Sequence, residues 1–294
     1  MTTVKDSYYA LAIRAGSYDP DVRDEPLARP RSLILYVYGG FVRRLGGWIS
    51  VASLVRLLGD LGVEPPTVRA ALMRMKRIGL LTSSRRLGAG GYALTQEAWR
   101  ILDEGDRRIL ASRQAARLGD GWVLAVFSIP EARRDERHRL RSRLVWLGFG
   151  TVAPGAWIAP RRQLVEVRSE LTALALNGYV ELFEVAAQDL PEARRLVRRA
   201  WDLERLAGLY EGFTAKWEPV LETWAAATPP DGGRAFTDYV RAIADWRRLP
   251  FLDPGLPPEL LPPDWPGDRA SWVYFSLLER VDGPALEHVK ARCQ

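Results

Sequence analysis

The sequence predicts an α+β chain with an N-terminal winged helix-turn-helix, a central split βαβ domain of ferredoxin-like order and an α-helical C-terminal domain. Three observations carry this. Between Ser50 and Gly79 lie two short helical patterns joined by a tight turn, the second rich in arginine. From Trp122 to Val185 the order reads strand, helix, strand, strand, helix, strand. From Trp201 onward a tryptophan and leucine stripe repeats every three, four or seven residues.

The first 28 residues are polar and turn-rich and read as an arm (1–28). Within 29–97, Arg31 to Arg44 is the first expected helix, with Leu33, Ile34, Val37 and Phe41 facing inward. Gly46 to Ile49 gives a short strand. Ser50 is a favourable N-cap for the next helix, which places Leu54, Leu57, Leu58 and Leu61 on one face. Gly59 and Gly62 loosen and stop it. Pro65 and Pro66 suit the first turn of the following helix. Its apolar positions are Val68, Leu72, Met75 and Ile78, which leaves Thr67, Arg69, Ala70, Met73, Arg74, Lys76 and Arg77 pointing outward. Leu80–Ser84 and Tyr92–Thr95 then read as strands around the turn Gly88-Ala89-Gly90-Gly91, forming the wing.

Thr95 is the expected N-cap of a connecting helix, assigned to 98–117. In 118–189, WVLAVFSI is a buried strand ended by Pro130. Glu131–Leu147 is an amphipathic helix, GFGTVAPGAWIAP two strands, Arg161–Leu176 a second helix, and YVELFEV the last strand. The final stretch, 190–294, is helical. It carries a long helix bent at Pro219, a helix at Arg234–Leu249, a proline-rich loop, and two helices near Trp272–Val281 and Ala285–Arg292.

Composition narrows the function. The 294 residues carry a net charge of +6, which suits a polyanionic partner. Between Glu64 and Arg86 the basic residues Arg69, Arg74, Lys76, Arg77, Arg85 and Arg86 face the single acid Glu64, while the last 45 residues are net acidic. The positive charge thus sits on the two-helix motif, which points to DNA. Arg69 and Arg74 are placed to bind guanine bidentately; Lys76, Arg77, Arg85 and Arg86 suit phosphates. No apolar run approaches a membrane span and the N-terminus lacks an apolar signal core, so a cytoplasmic location is expected. Cys293, the single cysteine, permits no intrachain disulfide.

Catalytic patterns do not emerge. His138 and His288 lie far apart and outside any metal-spaced cluster, and both read as surface residues. GAGG at Gly88 sits in a hairpin, not between a strand and a helix. No enzyme activity, metal or cofactor is expected. The arginine-rich helix Arg133–Arg143 reads as a salt-bridged solvent face shared with Glu131, Asp135 and Glu136. Trp201, Trp217 and Trp224 read as core, whereas Trp157 and Trp265 are better placed for a ligand pocket or a domain seam.

Four stretches together resemble the phenylacetic acid degradation repressor (PaaX-like) family. They are RSLILYVYGG at Arg31, TVRAALMRMKRIGLL at Thr67, WVLAVFSIPEARRDERHRLRSRLVWLGFGTVAPGAWIAP at Trp122 and WRRLPFLDPGLPPELLPPDWPG at Trp246. The resemblance implies a homodimeric transcriptional repressor whose central domain is Cas2-like. It implies a reading helix formed by Thr67, Arg69, Ala70, Met73 and Arg74, set against double-stranded DNA with a palindromic operator. It also implies release by an aryl-coenzyme A thioester such as phenylacetyl-CoA. Trp157, Arg161 and Trp265 are the residues expected to bind that effector. The wing departs from the family in its few arginines, Arg85 and Arg86. Two rival readings are a winged-helix adaptor acting through protein contacts and a Cas2-like metal-dependent nuclease. The nuclease needs a carboxylate at the end of the first central strand, and this chain has Phe127-Ser128-Ile129-Pro130 there.

Overall fold

The computed structural model describes residues 30–86, 88–111, 115–226 and 231–294; the expected arm lies outside them. The chain forms two compact units. One holds the chain up to Arg107 with Ala215–Trp246 and Trp272–Gln294. The other holds Arg108–Thr214 with Arg247–Ser271. The helical stretch 190–294 therefore supplies segments to both.

In the first unit, α1 (Pro30–Gly40) buries six consecutive side chains, from Leu33 to Tyr38. Strand β1 (Trp48–Ser50) leads into α2 (Val51–Asp60), whose N-cap Ser50 accepts the Ser53 amide at 3.0 Å. Leu54, Leu57, Leu58 and Leu61 are buried as the spacing requires. The helix ends in a Schellman motif: the Gly62 amide binds the Gly59 carbonyl and the Val63 amide binds Leu58. Gly62 has φ of +83°, which a side chain would strain.

Helix α3 (Pro65–Arg77) starts with both prolines in its first turn and closes with the Leu80 amide on the Met75 carbonyl. Strands β2 (Leu81–Arg86) and β3 (Ala89–Leu94) complete an antiparallel sheet of order β1-β3-β2. The register continues to the Arg86–Ala89 pair, so Ala89, Gly90 and Gly91 belong to β3 and not to the expected turn. Helix α4 (Gln96–Ala111) is capped by the Thr95 hydroxyl, which accepts the Ala98 amide at 3.2 Å.

The second unit contains β4 (Trp122–Phe127), α5 (Arg134–Trp146), β5 (Gly150–Ala153), β6 (Ala156–Pro160), α6 (Leu164–Ala173) and β7 (Val180–Val185). Its sheet order, β5-β6-β4-β7, is all antiparallel and is the order a split βαβ unit produces. Arg143 departs from the expected solvent face. It is buried, its guanidinium forks onto Glu170 of α6 with Nε 2.6 Å from Oε2, and it stacks on Trp146.

Helix α7 (Leu190–Ala200) packs Ala193 and Val197 onto a core with Trp122, Ile158, Leu203, Leu256 and Leu260. Trp201 is half-buried beside this core and donates its indole N–H to the Gly148 carbonyl at 3.0 Å. The proline-rich loop is tied down by Asp253. One of its oxygens accepts the Tyr210 hydroxyl at 2.6 Å and the other accepts the Gly255 amide at 2.7 Å.

Helices α8 (Leu203–Ala226), α9 (Gly232–Trp246), α10 (Leu249–Leu252) and α11 (Pro266–Cys293) follow. Trp217 and Trp224 are core, as expected, and their indoles donate to Asp245 and Asp238, each at 2.9 Å. α11 differs from expectation, because the two predicted helices are one that passes through Pro284. Val281, Ala285 and Val289 are completely buried on its inner face, and this tertiary packing outweighs the hydrogen bond the proline removes.

Burial raises the pKa of the Asp253 carboxyl. The Asp268 charge adds to the rise, and the Tyr210 hydroxyl, the Gly255 amide and the Arg162 charge offset only part of it. An acid with a raised native pKa holds more protons folded than unfolded. Its contribution to stability is therefore fullest below the ordinary carboxylate range and falls as pH rises through the native value. The unfolding free energy of the wild type minus that of Asp253→Asn should fall as pH climbs from roughly 4 to 7, read by urea titration. A pH-independent difference would contradict this.

Candidate nucleic-acid interface

Helix α3 divides cleanly. Val68, Ala71, Leu72 and Met75 are all at most 1% exposed, while Thr67, Arg69, Ala70, Met73, Arg74, Lys76 and Arg77 are exposed. Ile78, expected in the core, is 41% exposed. It caps the helix, and the chain turns away at Gly79 in the left-handed conformation before its side chain reaches the core. The outward face combines two arginines in the middle of the helix with Lys76 and Arg77 at its end. Arginine offers a planar fork matched to guanine or phosphate, and all these side chains are solvated and so reach a partner without breaking a core.

The hairpin braces this helix. Tyr92 of β3 directs its hydroxyl to the Met73 sulfur at 3.8 Å, and Tyr38 of α1 donates to the Tyr92 carbonyl at 3.0 Å. Gly91 lies under the Trp48 ring, and a Cβ there would stand 2.5 Å from Cζ2 of that ring. The glycine content of the hairpin is in this part a packing requirement. Arg86 lies over the Trp48 ring, 5.6 Å from its centroid, and Arg85 reaches the Gly88 carbonyl at 3.5 Å. Both arginines are exposed near the hairpin tip, which suits contacts to phosphate.

His288 is not the free surface residue expected. Its Nε2 is 2.8 Å from Asp60 Oδ2, and its ring stacks on Phe236 at 5.7 Å. Arg292 donates to the other Asp60 oxygen at 3.1 Å, and Arg56 donates to the Arg292 carbonyl at 2.7 Å. Asp60 ends α2, so this cluster fixes the residue from which the chain turns into α3. More than two hundred residues separate Asp60 from its partners, and no local sequence signal reveals the pairing.

The three effector candidates do not converge. Trp157 is buried on β6 opposite Ala125, on the sheet face away from Ile158, because successive strand residues alternate faces. Trp265 is half-buried on the Ile158 face, edge-on to Tyr210 at 5.9 Å. Arg161 is exposed and paired with Glu184 of β7. His138 is exposed on α5.

Residues 29–98 match the family model for PaaX-like protein, residues 115–197 that for the PaaX protein central Cas2-like domain, and residues 201–291 that for the PaaX-like protein C-terminal domain. Over 267 residues the chain is 30% identical to the transcriptional repressor PaaX of Escherichia coli (strain K12), covering 89% of this chain and 83% of that protein. The chain belongs to the PaaX-like family. A solved structure in the comparison, the uncharacterized protein Rv0674 from Mycobacterium tuberculosis, is 27% identical. It aligns with a TM-score of 0.56 over 87% of this chain and 98% of that one. For this PaaX-like chain, the central-domain match agrees with the sheet order observed between β4 and β7.

Replacing Gly91 with valine should drive its Cβ against the Ile49 carbonyl and the Trp48 ring and lower stability by about 1–3 kcal/mol, with alanine costing less. Urea midpoints would show it, and an unchanged midpoint for Gly91→Val would refute the close-packing account.

Proposed function

We propose that this chain is a transcriptional repressor that binds operator DNA as a homodimer through a winged helix-turn-helix and is released by an aryl-CoA effector. The observation that carries the DNA part is the division of α3, with Val68, Ala71, Leu72 and Met75 buried and the cationic Arg69, Arg74, Lys76 and Arg77 exposed. Similarity to a transcriptional repressor over most of both chains supports the same reading.

Thr67, Arg69, Ala70, Met73 and Arg74 enter the major groove, where the two arginines read guanine. Lys76, Arg77, Arg85 and Arg86 hold phosphates and set the register. Two copies present two reading helices about one turn of DNA, or a multiple of it, apart. An apolar patch on the sheet of the second unit supports self-association. Phe183 of β7, 51% exposed, stands beside Leu124, and Val126 near it is 39% exposed. The effector favours a dimer geometry that no longer fits the operator spacing, a population shift by differential affinity. Trp157, Arg161 and Trp265 are the residues proposed for the effector. Because Trp157 and Trp265 lie on opposite sheet faces, the aryl group uses one of them and not both.

Binding to the DNA upstream of its own gene, followed by fluorescence anisotropy, tests this. Arg69→Ala and Arg74→Ala should each cost about 1–3 kcal/mol of operator affinity and relax base preference. Lys76→Ala should weaken all sequences alike and flatten the salt slope by about 0.9. Undiminished operator binding by the Arg69→Ala/Arg74→Ala double variant would overturn the assignment of α3, and a complex indifferent to phenylacetyl-CoA would overturn the effector class.

A further inference from the structure

The cationic residues of the second unit are not used alike. Around α5, Arg133 meets Glu136, Arg137 meets Glu131 and Arg143 meets Glu170, while Arg134, Arg139 and Arg141 are exposed. Helix α7 gathers its arginines on one side. Its inner side is held by Ala193 and Val197, and its outward side carries Arg194, Arg195, Arg198 and Arg199, all exposed. The single acid on that side, Glu192, meets Arg195 at 3.5 Å with both side chains mostly in solvent. Among the described residues, neither Arg198 nor Arg199 has a carboxylate partner. Arg194 is fixed in place, since its Nε and Nη2 both donate to the Glu259 carbonyl, at 3.1 and 3.0 Å.

This pattern opposes the stability of the helix. Arg194 and Arg198, and Arg195 and Arg199, are like-charge pairs one turn apart, and such pairs repel. The helix C-terminus favours positive charge and offsets part of the cost, but the dipole effect fades within the last turn, and Arg194 and Arg195 precede that turn. Four arginines on one face, two rows roughly 6 Å apart along the axis, form a surface that a row of phosphates neutralises. A base-specific role does not fit, because these side chains lie on the flank of a packed helix and not on a projecting one.

We propose that the outward face of α7 is a second phosphate-binding surface, on which Arg195, Arg198 and Arg199 hold the backbone of duplex DNA. The proposal rests on the reading of this chain as a DNA-binding repressor. It adds a sequence-independent component from the second unit to the base-reading one on α3.

The test measures affinity of the full chain for an operator fragment, and for a scrambled fragment of equal length, across a series of salt concentrations. Arg198→Gln combined with Arg199→Gln should weaken both by roughly tenfold at ~0.1 M salt and flatten the slope of log K against log salt by about 1.8, two contacts' worth. The ratio of operator to scrambled affinity should not change, because phosphate contacts carry no base information. Arg198→Lys with Arg199→Lys should restore most of the affinity, since lysine keeps the charge. On the unmodified protein, operator DNA should protect Arg198 and Arg199 from phenylglyoxal, read by mass spectrometry. A wild-type slope in the glutamine variant, or full phenylglyoxal reactivity in the complex, overturns the proposal. So does protection by phenylacetyl-CoA alone and not by DNA. A wild type that binds neither fragment refutes the repressor reading itself, whereas loss of base preference only on changing Arg69 and Arg74 upholds that reading independently of α7.

Discussion

Helix α1 needs cover on every side, and the rest of the first unit follows from that need. Six consecutive residues, Leu33 to Tyr38, are buried, and Phe41 beyond them is fully enclosed. A helix that is apolar all round cannot lie on a surface, because each exposed side would leave large hydrophobic groups in water. Helices α2 and α3 cover one side. The other is covered from far along the chain by α9, whose Phe236 and Tyr239 rings lie 5.6 and 4.6 Å from Phe41. Gly40 admits the Tyr239 ring where a Cβ would stand 2.6 Å from it. The segment that bears α3 therefore belongs to one compact unit with Ala215–Trp246 and Trp272–Gln294.

That shared core changes what a mutation in the C-terminal stretch means. Asp60 receives His288 and Arg292, and Arg44 pairs with Asp282. These contacts lie at the ends of the helices that carry α3, not on its outward face. Losing one would disturb the placement of α3 without touching its outward side chains. The charge economy of the molecule has the same logic. Arginines that meet a carboxylate, such as Arg43 with Asp103 and Asp106, stiffen the fold. Arg69 and Arg74 on α3 and Arg198 and Arg199 on α7 face solvent.

Much of the segment from β1 to α4 was legible locally. Ser50 and Thr95 announce their helices because an N-cap needs only a side-chain oxygen three residues before an amide. The outward face of α3 follows from 3.6-residue periodicity alone, and only Ile78 escaped it, because a helix end is set by the turn that follows. Gly90 and Gly91 read as turn, since glycine more often marks a bend than a strand. For Gly91 the strand position brings Trp48 and the Ile49 carbonyl against it, a contact between strands that no local pattern encodes. Pro284 likewise read as a break, and only the burial of Val281, Ala285 and Val289 keeps the helix whole.

Periodicity, caps and turn residues are short-range properties, so the sequence by itself determined the element order, the split βαβ plan of the centre and which side chains α3 turns outward. Tertiary structure alone decided which distant segments complete each core, that Arg143 is a buried tie and not a surface charge, and that Trp157 and Trp265 sit on opposite faces of one sheet. The reason is physical: a hydrophobic face specifies that it must be covered but not by what. That choice belongs to whichever segment, however remote in sequence, fits the space with its polar groups satisfied.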